Sequence, residues 1–492
     1  MIRKILIANR GEIAMRVMRS CREMGIRSVA VFSEADRTAR HVLYADEASL
    51  IGPAASKESY LDIEKIINAA KQHKVDAIHP GYGFLSENAA FARRCKEEGL
   101  IFIGPAAETI EAMGDKISAR KRMIAAGVPV VPGTQQPITD AAEARRLCCE
   151  IGFPVMLKAS MGGGGKGMRL IHREEDVEEA YNAARSESLS SFGDDTVYLE
   201  KFVEEPHHIE FQILGDNHGN VIHLCERECS VQRRNQKVLE ETPSPFVTSE
   251  LRHEMGLKAV AAAKAVNYSG AGTIEFLVDK NRNFYFLEMN TRLQVEHPIT
   301  EEVLGIDLVK EQIRIANNEK LHIRQEDVLQ RGHAIECRIC AEDTTAGFMP
   351  SPGVIRQLTE PNGIGVRIDS YVYEGYEIPV YYDPMIGKLI VWATTRQYAI
   401  ERMRRVLHEY KITGLKTNIT YLRRMMDIPD FVQGHYDTSF IEKNATRLQQ
   451  PVNPDDEHES ENVALVAAYM DYLMNLDENC LLYTSDAADD RI

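Results

Sequence analysis

Residues 159–170 read ASMGGGGKGMRL: four glycines, a lysine and a fifth glycine behind the apolar run FPVMLKA. A nucleotide P-loop needs G-x-x-x-x-G-K-[ST]. Here Ser160 stands where the first glycine belongs, and Lys166 is followed by Gly167 instead of a hydroxyl. The spacing G-x-G-x-x-G is present as Gly162, Gly164 and Gly167. The dinucleotide fingerprint, however, requires a helix to open directly behind it. Gly167 leads instead into the short apolar MRLI, and a helical pattern starts only at REEDVEEAYNAARSE. The stretch therefore predicts strand, glycine loop, strand: a flap and not a helix cap.

Outside the flap, composition narrows the choices. With 492 residues, 44% hydrophobic and 27% charged, the chain reads as a soluble protein of two to four domains. A net charge of −16 argues against nucleic acid as a partner, so clusters such as Gln232-Arg233-Arg234 are assigned to small anions. No apolar run approaches the ~20 residues of a membrane span, and MIRKILIANRGE lacks a signal peptide's apolar core. A cytoplasmic location is expected. Cys225, Cys229, Cys337 and Cys340 permit a four-thiolate zinc site on paper, but both pairs sit in strand-like patterns far apart. Buried reduced thiols are the expectation for the nine cysteines.

Along the chain, residues 1–115 alternate strand patterns (RKILIA, SVAVFS, VDAIHP, LIFIG) with helical ones. In GEIAMRVMRSCREMG, Ile13, Val17, Cys21 and Met24 keep helical spacing. Such alternation predicts a parallel α/β sheet. Residues 116–329 hold the flap (about 131–204) and long β runs, and 330–445 read as an α+β region. The tail, 446–492, is given no role.

The densest chemistry lies in GTIEFLVDKNRNFYFLEMNTRLQVEHP, residues 272–298. IEFLVD and FYFLEMN alternate as two strands around KNRN. A hairpin symmetric about Asn281-Arg282 sets Glu275 opposite Glu288, where like charges repel. A hard divalent cation resolves the repulsion, with Asn290 as a third oxygen ligand. If the extended backbone continued, Arg292, Gln294 and Glu296 would follow on the same face. A guanidinium, an amide and a carboxylate beside a metal suggest an anionic substrate with a general base.

Seven segments in register, IANRGEIAMRV, HPGYGFLSEN, MGDKISAR, KASMGGGGKGMR, ERECSVQRRNQK, EMNTRLQVEHPITE and GHAIECRICAED, closely resemble biotin carboxylase, an ATP-grasp enzyme. The resemblance covers residues 1 to about 445. It implies an N-terminal pre-ATP-grasp domain, an ATP-grasp domain with a mobile flap subdomain, and a C-terminal α+β domain. It also implies that flap N–H groups contact ATP phosphates as an anion nest, with Gly164, Gly165, Lys116 and Lys158. Glu200, Lys201, Phe202 and Val203 would line the adenine edge, with His208 near the ribose. Glu275, Glu288 and Asn290 would bind Mg²⁺ or Mn²⁺. Lys237, Arg292, Gln294 and the Val295 backbone would hold bicarbonate, and Glu296 would take its proton. Arg338 would stabilise the biotin enolate, and Arg292 would steady both charged stages.

The resemblance departs at two points. Asn235 stands where the family usually has histidine, an ATP contact, so altered nucleotide affinity is expected; Met161 stands where a further glycine is common. No Met-Lys-Met biotinylation motif occurs. The biotin carboxyl carrier protein and the carboxyltransferase are therefore expected as separate chains, within acetyl-CoA carboxylase or a two-subunit pyruvate carboxylase. The helix bearing Arg19 and Glu23 resembles the family's dimer contact, so a homodimer is expected, although Ile364 replaces a frequent aromatic. Two rival readings share the flap: an ATP-grasp ligase joining a carboxylate to an amine, and a nucleotide sensor without turnover.

Overall fold

Alternate residues of the first strand, β1 (Lys4–Ile7), enter two different cores. Ile5 and Ile7 meet Ile13, Ala14, Val17 and Cys21 of the helix Gly11–Glu23. Leu6 meets Ile66, Ile67 and Ala70 of the helix Ile63–Gln72, with Phe91 and Cys95 of the helix Ala89–Glu97. A strand covered on both faces belongs in a parallel sheet, and that is what forms. With β2 (Arg27–Ser33), β3 (Glu47–Gly52), β4 (Ala77–His79) and β5 (Ile101–Phe102), the order is β3-β2-β1-β4-β5, all parallel. Edge strand β3 escaped the sequence reading because its EASLIG buries only Ile51. Asp62 and Asn88 cap their helices by accepting from the N–H groups of Lys65 and Phe91 at 3.1 and 2.9 Å.

The computed structural model describes residues 1–134, 136–160, 167–449, 463 and 465–473. The flap strands are β6 (Val155–Ala159) and β7 (Met168–Ile171), paired antiparallel from Lys158 opposite Met168 outward. The two flanking strands form as read, while residues 161–166, among them Met161, Gly164 and Gly165, lie outside the described residues. Gly167, with φ +70°, shows why the loop ends on glycine: a Cβ there would meet the Ala159 Cβ at 2.7 Å. β8 (Val197–Lys201) completes a sheet of order β7-β6-β8, whose inner residues Val155, Leu157, Ile171, Val197 and Leu199 pack on Ala144, Cys148, Tyr181 and Ala184.

The largest sheet has eight antiparallel strands. It contains β9 (His207–Gly215), β10 (Val221–Arg233), β11 (Gln236–Thr242), β12 (Gly270–Val278), β13 (Phe284–Asn290) and β14 (His333–Cys340). The strands Val366–Ser370 and Met385–Ala393 complete it, in the order β13-β12-β9-β10-β11-β14, then Met385–Ala393, then Val366–Ser370. Residues from both sides of position 330 thus share one sheet. On one face Ile209, Phe211, Ile213, Ile274 and Phe276 pack on Met255, Ala259 and Ala262 of the helix Ser249–Ala265. The alternate residues, Glu210, Gln212, Thr273 and Glu275, point the other way, and there the site is built.

Met1–Asn444 forms one unit and Ala445–Ile492 another, in which Ala445–Gln449 and residues 465–473 are helical. The described cysteines are free, and no described metal-binding grouping joins Cys225 or Cys337. No described helix is long and apolar enough to cross a membrane.

Candidate active site

The site starts with an irregularity in the β12–β13 hairpin. Its turn is held by Asp279, whose side chain accepts from the N–H groups of Asn281 and Asn283 at 2.8 and 2.9 Å. Next to the turn, Val278 faces Phe284 and Phe276 faces Phe286, so a regular ladder would bring Leu287 opposite Glu275. A bulge at Leu287 intervenes, and beyond it Glu275 faces Glu288 and Thr273 faces Asn290. The expected pairing is therefore real, but the symmetric hairpin is not. Because side chains alternate, the one extra residue decides whether Glu288 shares a face with Glu275.

The pair is one end of a longer row. Across neighbouring strands, Glu275 faces Glu210, and Glu210 faces Arg227. Three glutamates abreast need cations. Arg227, fully buried, gives Nε to Glu210 Oε1 at 2.5 Å and Nη1 to Gln212 and Thr300. Lys237 Nζ reaches Glu210 Oε2 at 2.5 Å, Glu275 Oε1 at 3.0 Å and Glu296 Oε1 at 2.6 Å. Burial favours a neutral lysine, but these three carboxylates outweigh it and hold the ammonium well above its ordinary range. Burial likewise pushes Glu275 up, yet Lys237 and His208 hold it well below the usual carboxylate range. Glu288 differs. Desolvation and the charge of Glu275 push it up, and Lys116, 3.9 Å away, opposes them only in part.

After Asn290 the chain leaves the sheet, so the expected extended run through residue 296 does not form. Pro298 near the start of the helix His297–Leu304 turns the backbone, with Glu296 at the N-cap position. The side chains converge nonetheless. Gln294 Nε2 donates to Glu275 Oε1 at 2.8 Å, and Arg292 Nη2 donates to Asn290 Oδ1 at 3.0 Å. Glu296 is clamped between Lys237 and Arg338, whose Nη2 lies 2.9 Å from Glu296 Oε2. Burial raises its proton affinity, but Lys237 and Arg338 more than offset that and keep it ionised. The Val295 carbonyl accepts from the fully buried Lys388 at 2.8 Å.

Around Glu200, Lys158 Nζ and Arg120 Nη1 take its two oxygens at 2.5 and 3.0 Å. Lys201 gives its ammonium to the Gly152 and Phe153 carbonyls, and the Phe202 N–H bonds Pro154, which leaves Phe202 and Val203 half-buried. His208 stands with the carboxylates instead of apart from them: its Nε2 is 3.0 Å from Glu275 Oε2. Asn235 and Arg234, with φ of +63° and +50°, form the two-residue turn between Arg233 and Gln236. Such turns need two positive φ values, which asparagine tolerates well.

Sequence reasoning missed four members of the site. Glu87 accepts from Arg292 Nε at 2.7 Å and from the Thr291 N–H at 2.9 Å. Its motif, HPGYGFLSEN, was in view without a role. Glu210, Arg227 and Glu240, which accepts from Arg338 Nε at 2.7 Å, depend on pairing between distant strands. Only the alternation in HHIEFQ, which puts His208 and Glu210 on one face, hinted at any of them.

An antiparallel sheet whose polar face carries paired glutamates, together with a separate three-stranded sheet β7-β6-β8, is the arrangement of the ATP-grasp class. Family models for the biotin carboxylase N-terminal domain match residues 1–110, and for its C-terminal domain residues 336–443. That for the ATP-binding domain of the carbamoyl-phosphate synthase L chain matches 115–324. A biotin carboxylase from Nostoc sp. is 57% identical over 440 residues, spanning 89% of this chain and 98% of that protein. A pyruvate carboxylase subunit from Methanothermobacter thermautotrophicus is 55% identical, spanning 90% of each. The biotin carboxylase domain dimer of Hydrogenobacter thermophilus 2-oxoglutarate carboxylase, solved with MgADP, ADP and bicarbonate, superposes with a TM-score of 0.88. It is 50% identical, over 92% of this chain and 99% of that one. The chain belongs to the biotin carboxylase family and has its three-domain architecture.

Proposed function

We propose that the protein carboxylates biotin on a separate biotin carboxyl carrier protein, using ATP and bicarbonate, as the carboxylase subunit of acetyl-CoA carboxylase. The observation that carries this reading is Glu296, held between Lys237 and Arg338 beside the Glu275–Glu288 pair. A ligase for amines gives no reason for Glu296 to stand against Arg338.

The donor set fits a hard dication, which takes carboxylate and amide oxygens. Glu288 is the member without a close cationic partner, and Glu275 and Asn290 complete the set. Asn290 here turns Nδ2 to Glu275 and Oδ1 to Arg292, so ligating a metal requires its amide to turn over. When bound, the dication neutralises charge on the ATP phosphates.

In this reading Lys116, Lys158 and the flap position the phosphates, since phosphoryl transfer asks mainly for placement and charge compensation. Bicarbonate sits against Lys237, Arg292, Gln294 and the Val295 backbone. Its arrival draws the Lys237 ammonium off Glu296 and so restores the proton affinity that Lys237 suppresses. Glu296 then accepts the bicarbonate proton, and the carbonate oxygen attacks the γ-phosphate, whose bond to ADP breaks as ADP leaves. Flap closure keeps water from the resulting mixed anhydride. The anhydride breaks into CO₂ and phosphate, the phosphate takes the N1 proton of biotin, and that nitrogen attacks CO₂ while Arg338 faces the negative charge that develops on biotin.

The dimer belongs to the same proposal. Within the chain, Arg19 approaches Asp369 at 3.6 Å, Glu23 meets Lys310 at 2.5 Å, and Ile364 is 85% exposed. The 55% identity to a component of pyruvate carboxylase keeps that enzyme as the alternative parent complex. ADP release from Mg-ATP should require bicarbonate and rise when free biotin is added. Release that ignores both but responds to amines would overturn the assignment in favour of a carboxylate–amine ligase.

A further inference from the structure

A second pair of directly opposed glutamates lies deeper in the same sheet. Glu240 on β11 faces Glu336 on β14, and both side chains are completely buried. Their Cβ atoms are then ~4.5–5.5 Å apart. Glu240 Oε1 accepts from Arg338 Nε at 2.7 Å. Among the described residues, Glu240 Oε2 and both oxygens of Glu336 have no hydrogen-bond partner. Two buried, unscreened carboxylates facing each other are unfavourable, and three unpartnered buried oxygens add to the penalty. One proton relieves both problems, because an O–H on Glu336 can donate to Glu240 Oε2.

We propose that Glu336 is a buried neutral carboxylic acid hydrogen-bonded to Glu240, and that this shared proton fixes the charge behind Arg338, making the two glutamates a positioning pair for that guanidinium. The proposal rests on the reading of Arg338 as the biotin-facing group. Arg338 is divided between Glu240 and Glu296, its Nη2 lying 2.9 Å from the latter. Ionising Glu336 would add a second anion on the sheet side and pull Arg338 away from the substrate.

The charged neighbours are few. Lys388, on the next strand, lies near Glu336 but gives its proton to the Val295 carbonyl and is 3.4 and 4.0 Å from Glu12 and Asp369. Arg338 on the same strand and Glu296 behind it also act on Glu336, while Lys237 acts on Glu240. The net influence favours the proton. Burial, opposed by Lys388 but joined by Glu240, lifts Glu336 well above the ordinary carboxylate range, and burial lifts Glu240 to about 7.

The test uses the full chain and two isosteric variants, Glu336→Gln and Glu240→Gln. At neutral pH, infrared difference spectra of wild type minus Glu336→Gln should contain the carbonyl stretch of a protonated carboxylic acid. Its absence would overturn the shared proton whatever Arg338 does. The sign of the pH dependence follows from linkage. A carboxyl whose folded pKa is raised stabilises the fold at low pH and loses that contribution as pH rises through the folded value. The melting temperature of Glu336→Gln should therefore match wild type below the ordinary carboxylate range and exceed it increasingly as pH rises from there toward the raised folded value. In wild type the KM for free biotin should climb several-fold as pH passes the raised folded value of Glu336, while Glu336→Gln keeps it flat. Glu240→Gln should raise that KM at every pH and alter bicarbonate-dependent ATP hydrolysis without biotin far less. A protonated-acid band with identical KM profiles in wild type and Glu336→Gln would overturn the positioning role. A band with no biotin dependence at all would instead count against the biotin reading of Arg338.

Discussion

The two opposed glutamate pairs occupy one sheet and meet opposite fates. Glu275 and Glu288 sit where β12 and β13 end the sheet, and Glu288 keeps 39% of its side chain exposed. Glu240 and Glu336 sit on central strands with no exposure. The repulsion is the same in kind, yet the edge pair can recruit an ion from solution whereas the sealed pair can only hold a proton. Burial thus decides which counter-charge a carboxylate pair takes, because desolvating a free dication inside a sheet is far harder than keeping one hydrogen. Between the pairs lie Lys237 and Arg338, each fixed by glutamates on one side and meeting at Glu296 on the other.

The largest expected effect tests that meeting point. Glu296→Gln should lower biotin carboxylation by roughly 10²–10⁴-fold, the range for loss of a general base, with ATP affinity near wild type. Equal losses in both would make Glu296 a binding residue only. Next comes the comparison itself. Glu288→Gln should raise the Mg²⁺ concentration needed for half-maximal ATP binding by about tenfold, taking an ion contact as worth ~1.4 kcal/mol, and Glu336→Gln should leave it unchanged. A shift in both, or in neither, would erase the distinction between an ion-holding and a proton-holding pair. The smallest effect concerns the turn that presents Lys237. Asn235→Ala should destabilise the fold by about 1 kcal/mol, because alanine resists the left-handed conformation, while Asn235→Gly should be nearly neutral. Equal melting points for the two would show that the turn geometry is unimportant.

The edge pair was legible in the sequence because both glutamates belong to one local hairpin, where pairing can be counted along the chain. Even there the count succeeded for a different reason, since the Leu287 bulge supplies the residue that symmetry about Asn281-Arg282 assumed. Arg292, Gln294 and Glu296 were legible as a group through motif and density. Their geometry was not, because the start of the helix at His297 ends the extended backbone that alternation presumed. Glu210, Arg227, Glu240 and Glu336 were invisible as a set: their partners come from strands far apart in sequence, and only the assembled register brings them together. The parallel N-terminal sheet could be read from strand–helix alternation, except at β3, whose exposed edge leaves little hydrophobic signal.

In the proposed reaction an ion held by the hairpin glutamates adjoins the place where bicarbonate is activated. Its most direct test is the nuclear relaxation of ¹³C-bicarbonate in a complex with Mn²⁺ and a non-hydrolysable ATP analogue. Strong paramagnetic relaxation is expected in the wild-type protein, with its loss in Glu288→Gln. Relaxation no faster than with Mg²⁺ in place of Mn²⁺, although the nucleotide is bound, would contradict it.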